Sequence, residues 1–150
     1  MQITKTRNKK GLLEYFLADQ PKTTSKQKSR LEKYEQIDLN AHCKVQFPNE
    51  YSMMWHTVNE GGTGGAKYGA DLKKYGRKSG VPDWIVMIPI GKYHGLYVEL
   101  KREFTKDGKP KKEQIEFLTN AENLGYCCIV AYGFRAALIA INDYLTDNID

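Results

Sequence analysis

Gly80-Val81-Pro82-Asp83-Trp84-Ile85-Val86-Met87-Ile88-Pro89-Ile90, then Gly91-Lys92-Tyr93-His94-Gly95, then Leu96-Tyr97-Val98-Glu99-Leu100-Lys101-Arg102 is the stretch that decides the fold. Trp84 to Ile90 is an apolar, β-branched run, and Gly91 to Gly95 has the length of a hairpin turn. Leu96 to Arg102 alternates with period two, so two antiparallel strands are predicted, with Leu96, Val98 and Leu100 on one face and Tyr97, Glu99 and Lys101 on the other. Downstream, Asp107-Gly108 marks a turn and Pro110 suits the approach to a helix over Lys111 to Leu124, striped by Phe117, Leu118, Ala121 and Leu124. Gly125 ends that helix, Tyr126 to Tyr132 reads as a buried strand, and Phe134 to Leu145 as a closing amphipathic helix. The order β-β-α-β-α predicts an α/β domain.

Upstream, the pattern is looser. Residues 1–24 carry a basic start and one apolar cluster (Leu12, Leu13, Tyr15, Phe16, Leu17), read as a basic arm or one short helix. Residues 25–150 are expected to form the domain proper. A helix is predicted from Ser25 to about Cys43, and Tyr51 to Val58 is expected to be a strand after the break at Pro48. Asn59 to Gly80, rich in glycine and lysine, reads as one long loop.

At 150 residues and 41% hydrophobic content the chain fits one compact domain, and a mean hydropathy of -0.60 without any long apolar run excludes a membrane span. Met1 to Lys10 lacks the apolar segment of a secretory signal, so a cytoplasmic location is expected. Cys43, Cys127 and Cys128 are too few and badly spaced for a disulfide framework or a zinc site. The net charge of +5 is distributed unevenly: residues 1–33 carry +6, residues 34–66 carry -3, residues 67–112 carry +7 and residues 113–150 carry -5. Basic segments of this kind suit a polyanionic partner, nucleic acid foremost, or else a solvated basic tail and loop. Lys73, Lys74, Arg77 and Lys78 are the candidates to position phosphates.

The chemistry concentrates in the predicted hairpin. Glu99 and Lys101 share a strand face, and Pro82 stiffens the approach of Asp83 to the partner strand, so Asp83 is expected to approach Glu99. Two close carboxylates repel unless a proton or a hard cation lies between them, which predicts a Mg²⁺ or Mn²⁺ site. Beside it, the Lys101 amine orients a nucleophile or offsets anionic charge on a phosphoryl group, a combination suited to phosphodiester hydrolysis.

Gly80-Val81-Pro82-Asp83, Glu99-Leu100-Lys101-Arg102, Glu113-Gln114 at a helix start and Gly125-Tyr126, in that order, resemble the VRR-NUC nucleases of the PD-(D/E)xK superfamily. The resemblance runs over roughly residues 34–144. It implies a restriction-endonuclease-like core, a mixed sheet flanked by helices in a single domain. It implies Asp83, Glu99 and the backbone carbonyl of Leu100 as metal ligands, with Glu35 of Glu35-Gln36 as a further one, and Lys101 and Gln114 as catalytic. His56 and Asn59 match the family's residues before the glycine-rich segment and, with Arg102 and the four cations above, are implied to contact DNA. The resemblance further implies a homodimer acting on branched DNA such as Holliday junctions, in bacterial or phage replication and repair, with no membrane partner and no small-molecule cofactor. The alternative is a non-catalytic basic module that binds nucleic acid. A phosphate-loop enzyme built on Gly61-Gly62-Thr63-Gly64-Gly65 is a poorer fit, because the Walker spacing is absent.

Overall fold

The computed structural model describes residues 1–57 and 65–150. One six-stranded mixed sheet organises them: β1 (Ile3–Arg7), β2 (Leu13–Leu17), β3 (Met54–His56), β4 (Trp84–Val86), β5 (Leu96–Lys101) and β6 (Cys127–Tyr132), in the spatial order β1-β2-β6-β5-β4-β3. β6 is parallel to both neighbours, β2 and β5, while β5 to β4, β4 to β3 and β1 to β2 run antiparallel. Helices α1 (Glu32–Gln46) and α4 (Phe134–Leu145) cover one face, α3 (Lys112–Asn123) covers the other, and α2 (Gly65–Lys74) follows β3.

All six residues of β6, Cys-Cys-Ile-Val-Ala-Tyr, are buried, as a central parallel strand covered on both faces requires. Val98, Leu100, Ile129 and Ala131 pack with Leu39 and Cys43 of α1 and with the apolar stripe of α4. Cys128, Val130 and Tyr132 pack on the opposite face against Leu118 and Ala121 of α3, with Tyr97 and Phe117 closing over them. Glu99 and Lys101 therefore lie on the α3 side. Among the described residues no helix is long and apolar enough to cross a membrane.

The N-terminal segment is neither arm nor helix. Leu13, Tyr15 and Leu17 bury alternately, which is a strand period, and β2 lies against β6 with Leu13 opposite Ile129. The turn before it is set locally: the Asn8 side-chain oxygen accepts the N–H groups of Lys10 and Leu12 at 2.9 and 3.1 Å, and Gly11 takes the φ of +81° that closes it.

Four other expectations are revised. The helix expected from Ser25 starts only at Glu32, because Ser29 is drawn elsewhere: its N–H and hydroxyl donate to Asp107 at 2.6 and 2.7 Å. The strand expected to run to Ile90 stops at Val86, and Pro89, with no N–H to donate, lies in the connection to β5. Within the segment read as a loop, α2 forms over ten residues, where Ala, Leu and Lys outweigh a single interior glycine, while Val58 to Gly64 lie outside the described residues. The strand expected at Tyr51 to Val58 is a 3-10 turn at Tyr51–Met53 followed by β3.

Candidate active site

Trp84 pairs with Val98 across the β4–β5 ladder, so one step further Asp83 stands opposite Glu99. The Leu100 N–H donates to Asp83 Oδ2 at 2.8 Å and fixes that carboxylate against the strand. Lys101 Nζ lies 3.3 Å from Glu99 Oε1, and Gln114 Nε2 donates to the same oxygen at 2.7 Å. The Gln114 amide is oriented from its other end, where Oε1 accepts the Lys111 N–H at 2.7 Å at the start of α3. Its nitrogen must then face Glu99, and one side chain ties a helix terminus to the carboxylate.

Gly80 makes this junction possible. It adopts φ +83°, and a Cβ built on it would lie 2.5 Å from the Glu113 carbonyl oxygen and 2.7 Å from its carbon. Only glycine lets the chain leading to Asp83 pass this close to the first turn of α3. A cavity of about 240 Å³ opens there, walled by Glu32, Asp83, Lys101, Lys111, Glu113 and Gln114. A second, of about 210 Å³, reaches Asp83 from the α1 side past Glu32, Gln36 and His56.

The electrostatics are those of a crowded acid pair. Glu99 is fully buried, and burial, then the nearby Asp83, push its carboxyl up to about 9 against the opposing pull of Lys101. Burial also raises Asp83, opposed by the Leu100 N–H and by Lys101. Glu99 Oε2 is buried with no hydrogen-bond partner. A buried carboxylate oxygen left open beside a second carboxylate fits a hard divalent cation. Among the described residues no three His, Cys, Asp or Glu side chains gather into a metal cluster. Two carboxylates are nonetheless the donor set Mg²⁺ commonly takes from a protein when water and substrate phosphate supply the rest.

His56 Nδ1 lies 2.7 Å from the Asp83 carbonyl, which accepts only, so that nitrogen carries a proton and Nε2 is turned outward. The ring is exposed on the edge strand. Asn59 lies outside the described residues. Lys73, Lys74 and Lys78 are exposed at and after the C-terminal end of α2, whereas Arg77 is half-buried, with Nη1 unpartnered.

Two residues expected here are engaged elsewhere. Glu35 is buried beneath Arg30, which binds it through Nε at 2.6 Å and Nη2 at 3.1 Å, and it accepts the Phe134 N–H at 3.0 Å. It anchors α1 to the N-terminus of α4 and lines a separate cavity. Arg102 donates to the backbone carbonyls of Ser29 and Arg30 and clamps the segment before α1. The α1 residues that do wall the site are Glu32, Lys33, Gln36 and Ile37, two pairs each one helical turn apart. Their i, i+4 spacing was readable from the sequence, but which face of α1 meets Asp83 depends on how the helix sits on the sheet.

No protein-family model matches the sequence, and no curated protein matches it significantly. Among solved structures, a protein described as a VRR_NUC domain protein superposes with a TM-score of 0.68 at 26% identity, over 80% of this chain and 92% of its own. That likeness shows that this chain has the fold of a VRR_NUC domain, a mixed six-stranded sheet with helices on both faces in one small domain, and the neighbour's name is in keeping with the nuclease motif around Asp83, Glu99 and Lys101.

Proposed function

We propose that the protein is a divalent-cation-dependent DNA endonuclease that selects DNA by structure more than by sequence. The observation that carries the reading is Glu99 Oε2, buried without a partner beside Asp83 and within one side chain of Lys101 and Gln114. A buried carboxylate pair of this kind destabilises the fold, and a cation held by Asp83 and Glu99, with the Leu100 carbonyl as a further donor, offsets that. When bound, Mg²⁺ or Mn²⁺ supplies charge neutralisation for the phosphate and acidity for a coordinated water.

The chain's own residues do the rest. The Lys101 ammonium orients the attacking water and faces the charge that builds on the phosphoryl oxygens as the new P–O bond forms and the bond to the leaving oxygen breaks. Gln114 holds Glu99 in one rotamer, so the acid pair is set before substrate arrives. His56 presents Nε2 at the rim, within reach of a flanking phosphate. Lys73, Lys74 and Lys78 hold the DNA backbone, giving affinity that falls with salt and carries no sequence readout. Three free, buried cysteines suit a reducing compartment such as the cytoplasm. Symmetric incision of a four-way junction needs two such sites related by a two-fold axis, hence a homodimer.

The test is a panel of labelled DNAs (plain duplex, nick, flap, fork, four-way junction) incubated with Mg²⁺, Mn²⁺ or EDTA. Asp83→Ala, Glu99→Ala and Lys101→Ala are expected to abolish cutting, while Lys101→Ala still binds. Cutting in EDTA, or full activity in these variants, overturns the assignment. Binding without cutting of any DNA leaves the non-catalytic module. Sedimentation of the free protein and of its junction complex tests the dimer, and a monomer in both excludes it.

A further inference from the structure

Two lysines, Lys101 and Lys111, wall the 240 Å³ cavity at the start of α3, and they differ in what they touch. Lys101 is 5% exposed and is engaged with Glu99 at 3.3 Å. Lys111 is exposed, and among the described residues no carboxylate comes within the 4.0 Å at which its neighbour Lys112 meets Glu116. Its backbone is nevertheless held at both ends: the N–H donates to Gln114 Oε1 at 2.7 Å, and the carbonyl accepts the Ile115 N–H at 3.0 Å. Pro110 stiffens the chain that leads into it. An ammonium without an acid partner, on an anchored backbone and in the wall that it shares with Asp83 and Lys101, is available to a ligand.

The size and charge of the cavity indicate which ligand. At about 240 Å³ it is smaller than the roughly 300–1,000 Å³ of small-molecule sites, so it suits one phosphodiester group better than a nucleoside. Glu32, Asp83 and Glu113 share its walls, and with Lys101 committed to Glu99 they outweigh Lys111, so an anion enters against net negative charge. A divalent cation held by Asp83 and Glu99 cancels that excess. The start of α3, which supplies Lys111, Glu113 and Gln114 to the wall, adds the positive end of a 12-residue helix. The cavity therefore suits an anion that arrives with the metal, and a backbone phosphate is the anion that a DNA strand crossing Asp83 brings.

We propose that Lys111 binds, in this cavity, the phosphate next to the scissile one, and so sets which bond of the strand lies over Asp83 and Glu99. The proposal deepens the nuclease reading, on which it rests only for the identity of the scissile bond.

The experiment measures binding with Ca²⁺ in place of Mg²⁺ and maps the cut separately with Mg²⁺. The probe is the DNA of the panel above that the wild type binds most tightly, prepared as a series in which one phosphate at a time, at and around the cut, is an uncharged methylphosphonate. Lys111→Gln is expected to weaken binding to the unmodified DNA about tenfold, the scale of one hydrogen bond to a charged group, and to lower the slope of affinity against salt by about 1. Neutralising one phosphate beside the cut is expected to cost the wild type the same factor and Lys111→Gln nothing further. Lys111→Arg is expected to restore the sensitivity to that phosphate, and Lys112→Gln to stay within about twofold of wild type, as an exposed cation outside the cavity does. With Mg²⁺, Lys111→Gln is expected to spread its cuts over neighbouring bonds. The proposal is overturned if Lys111→Gln binds as wild type does, if its methylphosphonate profile matches the wild type's, if the coupled phosphate is the scissile one, or if Lys112→Gln loses as much. A Lys111 that serves only to start α3 would lower Tm and leave the profile unchanged, which also overturns it. Failure of the nuclease reading is separate, and would be seen as no cutting with any metal while one phosphate still couples to Lys111.

Discussion

Glu99→Gln is expected to make the metal-free protein more stable and to destroy its response to metal. The Glu99 carboxyl stands at about 9 in the fold, pushed up first by burial and then by Asp83, against an ordinary value near 4.3 in the open chain. Between those values the folded protein holds a proton that the unfolded chain has released, so stability falls as pH rises from about 4.3 through 9. The amide carries no charge to desolvate. Its carbonyl still accepts from Gln114 and Lys101, and its NH₂ takes the place of the proton that Glu99 must hold to sit beside Asp83. Replacing an acid in a crowded buried pair by a neutral isostere of the same shape is worth about 2 kcal/mol here, within the 1–4 kcal/mol found when buried ion groups are neutralised. For a chain of this length that is a rise in Tm of roughly 4 to 8 °C.

The assay is a set of thermal melts in EDTA from pH 6 to 9, repeated with Mn²⁺. In EDTA the gain of Glu99→Gln over wild type is expected to widen with pH, because the variant lacks the titrating group. With Mn²⁺ at a hundred times its Kd the wild type gains about 2.7 kcal/mol, and the variant gains little. A variant that melts below wild type in EDTA at pH 8 to 9, or one stabilised by Mn²⁺ as much as wild type, refutes the reasoning, since either result means that Glu99 is not a strained acid waiting for a cation.

Gly80→Ala is expected to lower stability by about 2 to 3 kcal/mol, because the new Cβ meets the Glu113 carbonyl at 2.5 Å in a backbone conformation that L residues disfavour; chemical denaturation measures it, and a change below 0.5 kcal/mol refutes it. Gln114→Leu is expected to reduce kcat about 10- to 100-fold with DNA affinity within twofold, since it frees Glu99 to turn while leaving the cationic surface intact; equal losses in both would mean that Gln114 contacts DNA itself. Burial favours the neutral form of Asp107, but the Ser29 N–H and hydroxyl and Lys106 hold its carboxyl well below the usual range, so its contribution is intact above about pH 4 and lost as pH falls further. Asp107→Asn is expected to be less stable at neutral pH and less sensitive to acid between pH 4 and 2, as followed by far-UV circular dichroism.

The segment from Trp84 onward was legible because each element there carries one unmistakable period: two in Leu96 to Lys101, 3.6 in Phe134 to Leu145, and an unbroken apolar run in Cys127 to Tyr132. Nothing comparable marks the first half. In Leu12-Leu13-Glu14-Tyr15-Phe16-Leu17 both faces of the strand are apolar, since Leu13, Tyr15 and Leu17 are fully buried and Phe16 packs on the α3 side, and a run apolar on both faces has no readable period. α2 was hidden behind the glycines that precede it. The late start of α1 was hidden for a different reason: Ser29 is held by Asp107, 78 residues away in the chain, and Arg102 holds the carbonyls of Ser29 and Arg30. Local helix propensity over Ser25 to Leu31 loses to those contacts, which no window of sequence contains.

The same limit explains why α1 presents a different acid to the site from the one expected. Glu32 and Glu35 lie three residues apart, so either choice places a carboxylate within one turn of the other. What separates them is a rotation of α1 about its axis, and that rotation is set from the far side of the helix. Leu39 and Cys43 must reach the core, Arg30 and the Phe134 N–H pull Glu35 toward the start of α4, and the face left toward Asp83 is the one bearing Glu32 and Gln36. Arg30→Ala removes that pull while leaving Glu35 buried. It is expected to cost about 3 kcal/mol, at the low end for a broken buried pair because the guanidinium side chain is 42% exposed. If α1 is held in rotation by this pair, the same variant should also lose activity beyond its loss of stability, measured at a temperature where it is fully folded. Activity unchanged under those conditions would mean that Leu39 and Cys43 alone set the face α1 turns to the acid pair.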